Sequence, residues 1–363
     1  MIERPRVSLL LPVHNRAHLL QQVLGRLAEN TTYKDVELIA VDDGSTDGSR
    51  EILRRWAAGG RLPDMKLLEK PNEGAIASLN EALSAASGEV CVQLDDDVTI
   101  ETPGWIERMV DMLTLDDAVG VVTPKVVVDA GGVYACGVDV VVPEGWHERS
   151  AIPTEPLGHR QWVSRATRID EGTGGAVESD VAEVDSGIGC CMMYRREDAI
   201  AAGGYDPEWS PYWWDDVDLC LKIRTLGRKV FYLPDVRVIH HIHARRTPEG
   251  AVRKLRPRRV ARAIMRRTLG RLPHPLRRAV ESRWDIDLQG VYTKEQCALL
   301  RHHDAYWREK WGWDARNPDM SEIRRRWGGT EVCWATDPVR RAAGERIVQA
   351  FEARRGKSAA PVA

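Results

Sequence analysis

Over its first hundred residues the chain alternates short apolar runs with segments of helical period, and this order limits the fold more than any other feature. Val7 to Val13 is an apolar run ending on Pro12-Val13-His14-Asn15. Leu19, Leu20, Val23, Leu24 and Leu27 then share one stripe of a helix. A strand from Val36 to Val41 leads into the turn Asp42-Asp43-Gly44-Ser45, and a helix follows from about Asp47 to Ala58. Met65 to Leu68 reads as a third strand, about Ala75 to Ala86 as a helix, and Val90 to Leu94 as a fourth strand. Repeated strand-helix-strand order predicts an α/β fold, a Rossmann-like mixed, mostly parallel sheet flanked by helices. Right-handed crossovers put the strand ends on one edge, where ligands of such sheets bind.

Three polar segments fall on that edge: Pro12-His14-Asn15, Asp42-Asp43 and the run Asp95-Asp96-Asp97 after the fourth strand. Three adjacent carboxylates repel one another unless a cation or hydrogen-bond donors offset them. A divalent-metal site and a solvated turn both satisfy that condition. Asp42-Asp43-Gly44-Ser45 alone is equally an ordinary turn, because Asp and Gly dominate turns. The coincidence of independent segments on one edge favours a binding site.

Beyond Val119 the pattern loosens into short β-rich pieces, Val126 to Val128, Val138 to Val142 and Gln161 to Ile169, with Glu171 to Gly175 as a loop. Order returns with a strand from Cys190 to Tyr194, a short helix to Ala202, and a helix from Asp215 to Leu226. Two strands, Lys229 to Leu233 and Val236 to Ile239, are expected on either side of Pro234-Asp235. After about Thr247 the pattern is helical, so a domain of residues 1–245 and a C-terminal helical extension of 246–363 are expected, the end after Lys357 fraying.

With 363 residues, 43% hydrophobic and 29% charged, the chain has the composition of a globular protein. Its net charge of -2 argues against a nucleic-acid binder. Seven cysteines without a Cys-x-x-Cys pair predict reduced, buried thiols and a cytoplasmic protein. Met1 to Pro5 leads directly into a strand, so no signal peptide is expected, and no apolar stretch reaches the roughly 20 residues of a membrane span. Any membrane association is then peripheral, at the inner face.

Read in order, the motifs resemble family 2 glycosyltransferases of the GT-A fold. They are Pro12-Val13-His14-Asn15-Arg16, Val41-Asp42-Asp43-Gly44-Ser45-Thr46-Asp47, Asn72-Glu73-Gly74, Leu94-Asp95-Asp96-Asp97, Gly203-Gly204-Tyr205-Asp206 and Trp214-Asp215-Asp216-Val217-Asp218-Leu219-Cys220. Each is weak alone; six in order, over roughly residues 5 to 245, are specific. The resemblance implies an inverting enzyme that moves a sugar from a UDP-, dTDP- or GDP-linked donor to a hydroxyl of a glycan, a lipid-linked sugar or a small molecule. Mn²⁺ or Mg²⁺ held by carboxylates would neutralise the departing diphosphate.

The same resemblance implies residue roles. Asp97 is the direct metal ligand, with Asp95 and Asp96 orienting ribose, metal or water around it. Asp43 accepts from the nucleobase, Pro12 and His14 line its pocket, and Asn15, Asn72 and Asp215 belong to the nucleotide-sugar site. Asp42 is structural. Asp216 is the base that takes the acceptor's proton, although aspartates in a first helical turn also serve as caps. His240 completes the metal shell; His241 and His243 lie on the opposite face of their strand.

Gly187-Ile188-Gly189 lacks the third glycine of a dinucleotide fingerprint and reads instead as a close approach beside the donor sugar, with Gly189 in the site. Tyr212, Trp213 and Trp214 suit either sugar stacking or core packing. From Arg245 to Arg278 the chain is strongly basic, with Glu249 its sole acid. A solvated face, anionic lipid and a phosphate-bearing acceptor all fit that stretch. Tyr306 to Gly312 is similar to a Lys-Trp-Gly segment of some relatives, its aromatics docking the extension. Two rival readings are a nucleotidyltransferase, which would want a Gly-rich, basic phosphate loop after the first strand, and a non-catalytic protein binding membrane or nucleic acid through the basic stretch.

Overall fold

A computed structural model describes residues 4–60, 62, 64–129, 133–139, 146–148, 163–164, 168–170, 179–211, 213–241, 276, 294–312 and 338–358. The first strands are β1 (Val7–Val13), β2 (Val36–Asp43), β3 (Met65–Lys70) and β4 (Val90–Leu94), separated by α1 (Ala17–Asn30), α2 (Ser49–Gly59) and α3 (Ala75–Ala85). β4 pairs with β1, β1 with β2 and β2 with β3, all parallel. Every residue of β1 and β2 is buried, as expected of parallel strands covered on both faces. Leu9, Leu11 and Val13 join the core packed by Leu20 and Leu24 of α1 and Leu53 and Trp56 of α2. The alternate residues face the other way, where α3 lies against β1 and β2.

The rest of the sheet is mixed. The chain continues through β5 (Val98–Ile100), α4 (Trp105–Leu113), β6 (Val119–Val128), β7 (Val133–Ala135), β8 (Val138–Asp139), β9 (Trp146–Glu148), β10 (Val163–Ser164), β11 (Arg168–Asp170) and β12 (Ala182–Val184), of which β8 with β10 and β9 with β11 form two separate two-stranded sheets. After these come β13 (Cys191–Arg195), α5 (Arg196–Ala201), α6 (Asp215–Thr225) and β14 (Lys229–His240). β13 runs antiparallel to both β4 and β6, and β6 is parallel to β14. Two reversals restore direction, so β6 and β14 end on the same edge as β1, β2 and β4. The sheet order is β12-β14-β6-β13-β4-β1-β2-β3, the mostly parallel arrangement expected.

Several elements differ from the sequence reading. Asp42 and Asp43 are not in a turn; they close β2, paired to Glu69 and Lys70 of β3. Val126 to Val128 is the tail of a ten-residue strand. The two strands around Pro234-Asp235 are one, with the register against β6 shifting between Leu233 and Arg237. That irregularity lets a proline, which cannot donate to the ladder, sit inside a strand. β5 and α4 occupy a stretch where no element is expected.

The chain forms two compact units, one of residues 1–149, 163–246 and 329–363, the other of 150–162 and 247–328. In the first, α8 (Pro338–Ser358) packs on β12 and places Ile347 and Phe351 in the core, while Arg355 pairs with Asp235 at the turn of β14. In the second, α7 (Lys294–Trp311) buries Trp307 and Trp311 with their rings 5.8 Å apart. The five described cysteines are buried and form no disulfide among the described residues. No helix among the described residues is long and apolar enough to cross a membrane. The loop 171–175, Tyr212, His243 and, apart from position 276, the basic stretch 245–278 lie outside the described residues.

Candidate functional site

The carboxyl ends of β1, β2 and β4 carry the polar segments, and the reversed β13 brings its amino end beside them. Cys191 pairs with Leu94, and Asp95 N donates to Cys190 O at 3.0 Å. β14 ends there too: His240 pairs with Val98 of β5, and His241 N donates to Asp97 O at 2.8 Å. Segments far apart in the chain thus meet because the strand directions agree.

Asp95, Asp97 and His240 present one ligand atom each within 4.8 Å of one another. His240 Nε2 lies 3.2 Å from Asp97 Oδ1, and His240 Nδ1 is buried without a hydrogen-bond partner among the described residues. Burial and the Asp97 charge together push the Asp95 carboxyl upward. Burial alone would raise Asp97 as well, but His240 and then Arg16 hold it below the ordinary carboxylate range. Conversely, burial disfavours a charged His240, and Asp97 and Asp95 more than offset that. Two hard oxygens and an imidazole nitrogen, close together and with an orphaned ring nitrogen, form a donor set that fits Mn²⁺ or Mg²⁺.

Asp96 goes elsewhere. Its Oδ2 accepts from His14 N at 3.0 Å and its Oδ1 from Arg16 Nε at 2.7 Å, so it braces the loop after β1 and takes no place in the ligand group. That loop is stitched to the loop after β2: Asn15 N donates to Ser45 Oγ at 3.0 Å, and Asn15 Oδ1 accepts from Thr46 N at 2.7 Å. Pro12, in β1, is buried and in register with Val41. His14 Nδ1 donates to Asp43 O at 2.7 Å, and the Asn72 amide nitrogen lies 3.1 Å from His14 Nε2.

Asp43 is 2% exposed, and its two oxygens accept from Glu73 N at 2.8 Å and Gly74 N at 2.9 Å. Each oxygen keeps a second lone pair. Lys70 Nζ stands 3.9 Å from Asp43 Oδ1 and 2.7 Å from Glu73. Gly44, at φ +67°, approaches Asn72 so closely that a Cβ there would lie 2.6 Å from Asn72 N. Asp42 is fully buried and paired to Arg50 at 2.7 Å.

Asp216 opens α6. Its Oδ2 accepts from Gly189 N and its Oδ1 from Val217 N, both at 2.8 Å. Burial pushes its carboxyl upward in spite of those amides, and Asp215 is pushed well above its ordinary value by burial, then by Asp216 and Asp95. Asp215 also engages Gln93 of β4, whose Oε1 accepts from Tyr205 OH at 2.8 Å; Tyr205 in turn lies 2.9 Å from Tyr194 OH. A Cβ on Gly189 would lie 2.9 Å from Gln93 Nε2 and 3.0 Å from Asp216 Cβ, so this position is a close approach.

Trp213 and Trp214, at φ +81° and +71°, turn the chain into α6 through left-handed backbone. Such conformations cost about 1–3 kcal/mol each in non-glycine residues and cluster at functional sites. Trp214 is buried, its ring 5.5 Å from that of Trp209.

The structure therefore gathers Asp95, Asp97, His240, Asp215, Asp216 and Gly189 on one side of the edge, and Pro12, His14, Asn15, Asp43, Asn72 and Asp96 on the other. His241 turns away to Thr99 and Asp129. Arg16, Lys70 and Gln93 are the side chains to which sequence reasoning gives no role. Arg16 alone stood inside a recognised motif, and nothing local marks its partners.

Residues 8–135 match the family model described as glycosyl transferase family 2. The chain is 27% identical over 253 residues to the O-antigen biosynthesis protein RfbC of Myxococcus xanthus, covering 68% of this chain and 18% of that protein. It is 30% identical over 183 residues to the chondroitin synthase of Pasteurella multocida, covering 49% and 18%. The chain thus spans about a fifth of the length of either. Among solved structures, the mannosyltransferase PcManGT from Pyrobaculum calidifontis, in complex with GDP-Man and Mn²⁺, aligns with a TM-score of 0.47 at 19% identity. That alignment covers 97% of this chain and 87% of the other.

Proposed function

Through residues 8–135 the chain is a family 2 glycosyltransferase, and on that premise we propose that it transfers a sugar from a nucleotide diphosphate donor to an acceptor hydroxyl, with inversion and with a divalent cation. The observation that carries this reading is the convergence of Asp95, Asp97 and His240 on the sheet edge that also holds Asp43 and Asp216. Asp97, His240 and Asp95 would hold Mn²⁺ or Mg²⁺, which supplies charge neutralisation to the departing diphosphate when bound. Asp43, with the His14 ring bonded to its carbonyl, forms the nucleobase pocket; uracil, thymine and guanine each offer it a ring N–H. Pro12, Asn15 and Asn72 wall that pocket.

Asp216 takes the acceptor proton. Its oxygens are aimed by the amides of Gly189 and Val217, and its raised carboxyl binds a proton more readily than an exposed aspartate. The acceptor oxygen bonds the anomeric carbon as the carbon–phosphate-oxygen bond breaks, the proton passes to Asp216, and the nucleoside diphosphate leaves. One displacement without a protein nucleophile inverts the centre. Donors linked to UDP, dTDP or GDP and a glycan, lipid-linked or small-molecule acceptor fit this chemistry. The basic stretch 245–278 would supply a peripheral contact with the inner face of a membrane.

The test is Asp216→Asn, which removes the base and keeps the shape. Base catalysis contributes roughly 10²–10⁴-fold, so donor turnover should nearly vanish while nucleotide binding persists. Retention of more than about a tenth of the wild-type rate contradicts the assignment.

A further inference from the structure

Arg16 touches two of the three consecutive aspartates. Its Nε donates to Asp96 Oδ1 at 2.7 Å, and its Nη2 lies 3.1 Å from Asp97 Oδ2. The guanidinium is largely buried, and the Arg16 amide is tied to Ser49 Oγ at 2.8 Å. Both Asp96 oxygens are engaged, because the other accepts from His14 N. Asp97 is divided: Oδ1 faces His240 at 3.2 Å, within the ligand group, whereas Oδ2 faces the guanidinium.

From this division, and resting on the metal-dependent reading above, we propose that Arg16 is the specificity-determining residue of the cation site, excluding Ca²⁺ by keeping Asp97 a one-oxygen ligand. Ca²⁺ gathers about 6–8 oxygens and commonly takes a carboxylate through both, whereas Mg²⁺ keeps a compact octahedron with single-oxygen carboxylates. Imidazole also suits Mn²⁺ better than Ca²⁺. For Asp97 to grip an ion with both oxygens, Oδ2 must leave the guanidinium. That forfeits a charge-assisted hydrogen bond and brings a divalent cation against a fixed positive charge. For Asp96 to turn an oxygen toward the ion instead, it would have to give up the same guanidinium or His14 N. The planar fork of arginine spans Asp96 and Asp97 together, and a lysine ammonium, a point donor, does not reproduce that span.

The measurement is the ratio of Ca²⁺ to Mn²⁺ dissociation constants, by calorimetry and by competition against the Mn²⁺ paramagnetic resonance signal, on the full-length wild type, Arg16→Gln and Arg16→Lys. Removing a positive charge tightens both divalent ions alike, so the ratio cancels that effect and reports carboxylate geometry. A hydrogen bond to a charged group is worth about 1.5–3 kcal/mol, so the ratio should fall about tenfold or more in Arg16→Gln. Arg16→Lys should show a smaller fall, and it carries the test if Arg16→Gln does not fold. A ratio within about threefold of wild type in folded Arg16→Gln, or an unchanged ratio in Arg16→Lys where Arg16→Gln does not fold, overturns the proposal. In that case wild-type Mn²⁺ binding leaves the metal reading standing. A wild type that binds no Mn²⁺ by either method overturns both.

Discussion

Gly189→Ala tests how tightly Asp216, the proposed base, is held. The added methyl would stand 2.9 Å from Gln93 Nε2, 3.0 Å from Asp216 Cβ and 3.3 Å from Asp216 Oδ2. Carbon contacts settle at about 3.5–4.0 Å, so one neighbour must retreat by roughly half an ångström. Gln93 is pinned by Tyr205 OH, and residue 189 cannot withdraw without losing its own 2.8 Å bond to Asp216. Asp216 therefore moves. Overpacking of this kind costs about 1–3 kcal/mol of stability. A displacement of about 1 Å from reacting geometry costs on the order of 10²-fold, so turnover should fall about 10- to 100-fold. Donor affinity should stay within about threefold, because the Asp43 side of the site is untouched. The assay is release of nucleoside diphosphate in Mn²⁺, with donor binding followed by calorimetry. Gly187→Ala is the control: its methyl would meet Thr123 and Met192 and not Asp216. A folded Gly189→Ala enzyme with wild-type turnover refutes the reasoning.

Removal of the imidazole in His240→Ala should weaken Mn²⁺ binding by at least the ~10–100-fold that outer-shell changes cause, and unchanged affinity by calorimetry removes His240 from the metal set. Glu37, fully buried, accepts from Ser8, Ser87 and Lys66, and these partners overcome burial to push its carboxyl down to about 2. Glu37→Gln should cost about 1.5–3 kcal/mol in urea denaturation. Because the folded value lies below the unfolded one, near ~4.3, this contribution is full above that pH and fades as pH falls through about 2. A deficit in Glu37→Gln that persists undiminished in acid contradicts the assignment. Phe351→Ala, in α8 over β12, should lose about 3 kcal/mol, and an unchanged melting temperature argues that α8 does not pack there.

What the sequence disclosed follows from how locally each feature is encoded. β1 and β4 are legible as short, mostly apolar runs, and α1 as a single stripe from Leu19 to Leu27. Pro234 split β14 on paper because a ladder bond is missing there, and only pairing with β6 shows that the strand resumes. α4 was overlooked although Ile106, Met109, Val110 and Leu113 carry helical spacing after Gly104. In the aspartate run, Asp97 and His240 were assigned to the metal by resemblance, and the structure adds Asp95 to their cluster. The run lies in a turn between β4 and β5, where strand alternation does not say which way each carboxylate points. The hold of Arg16 on Asp96, 80 residues away, was not legible either, since no local pattern encodes which donor a carboxylate meets across a sheet edge. Trp213 and Trp214 likewise look like core aromatics until their left-handed backbone is seen.

The central claim is that this acidic edge binds a nucleotide through a divalent cation held by Asp97. Calorimetry with UDP, dTDP and GDP, in Mn²⁺ and then in excess chelator, tests it on wild type and on Asp97→Asn. At least one nucleotide should bind wild type in Mn²⁺, with the heat lost in chelator and absent in the variant. Binding that survives the chelator and Asp97→Asn unchanged, or no binding by any of the three, contradicts the account.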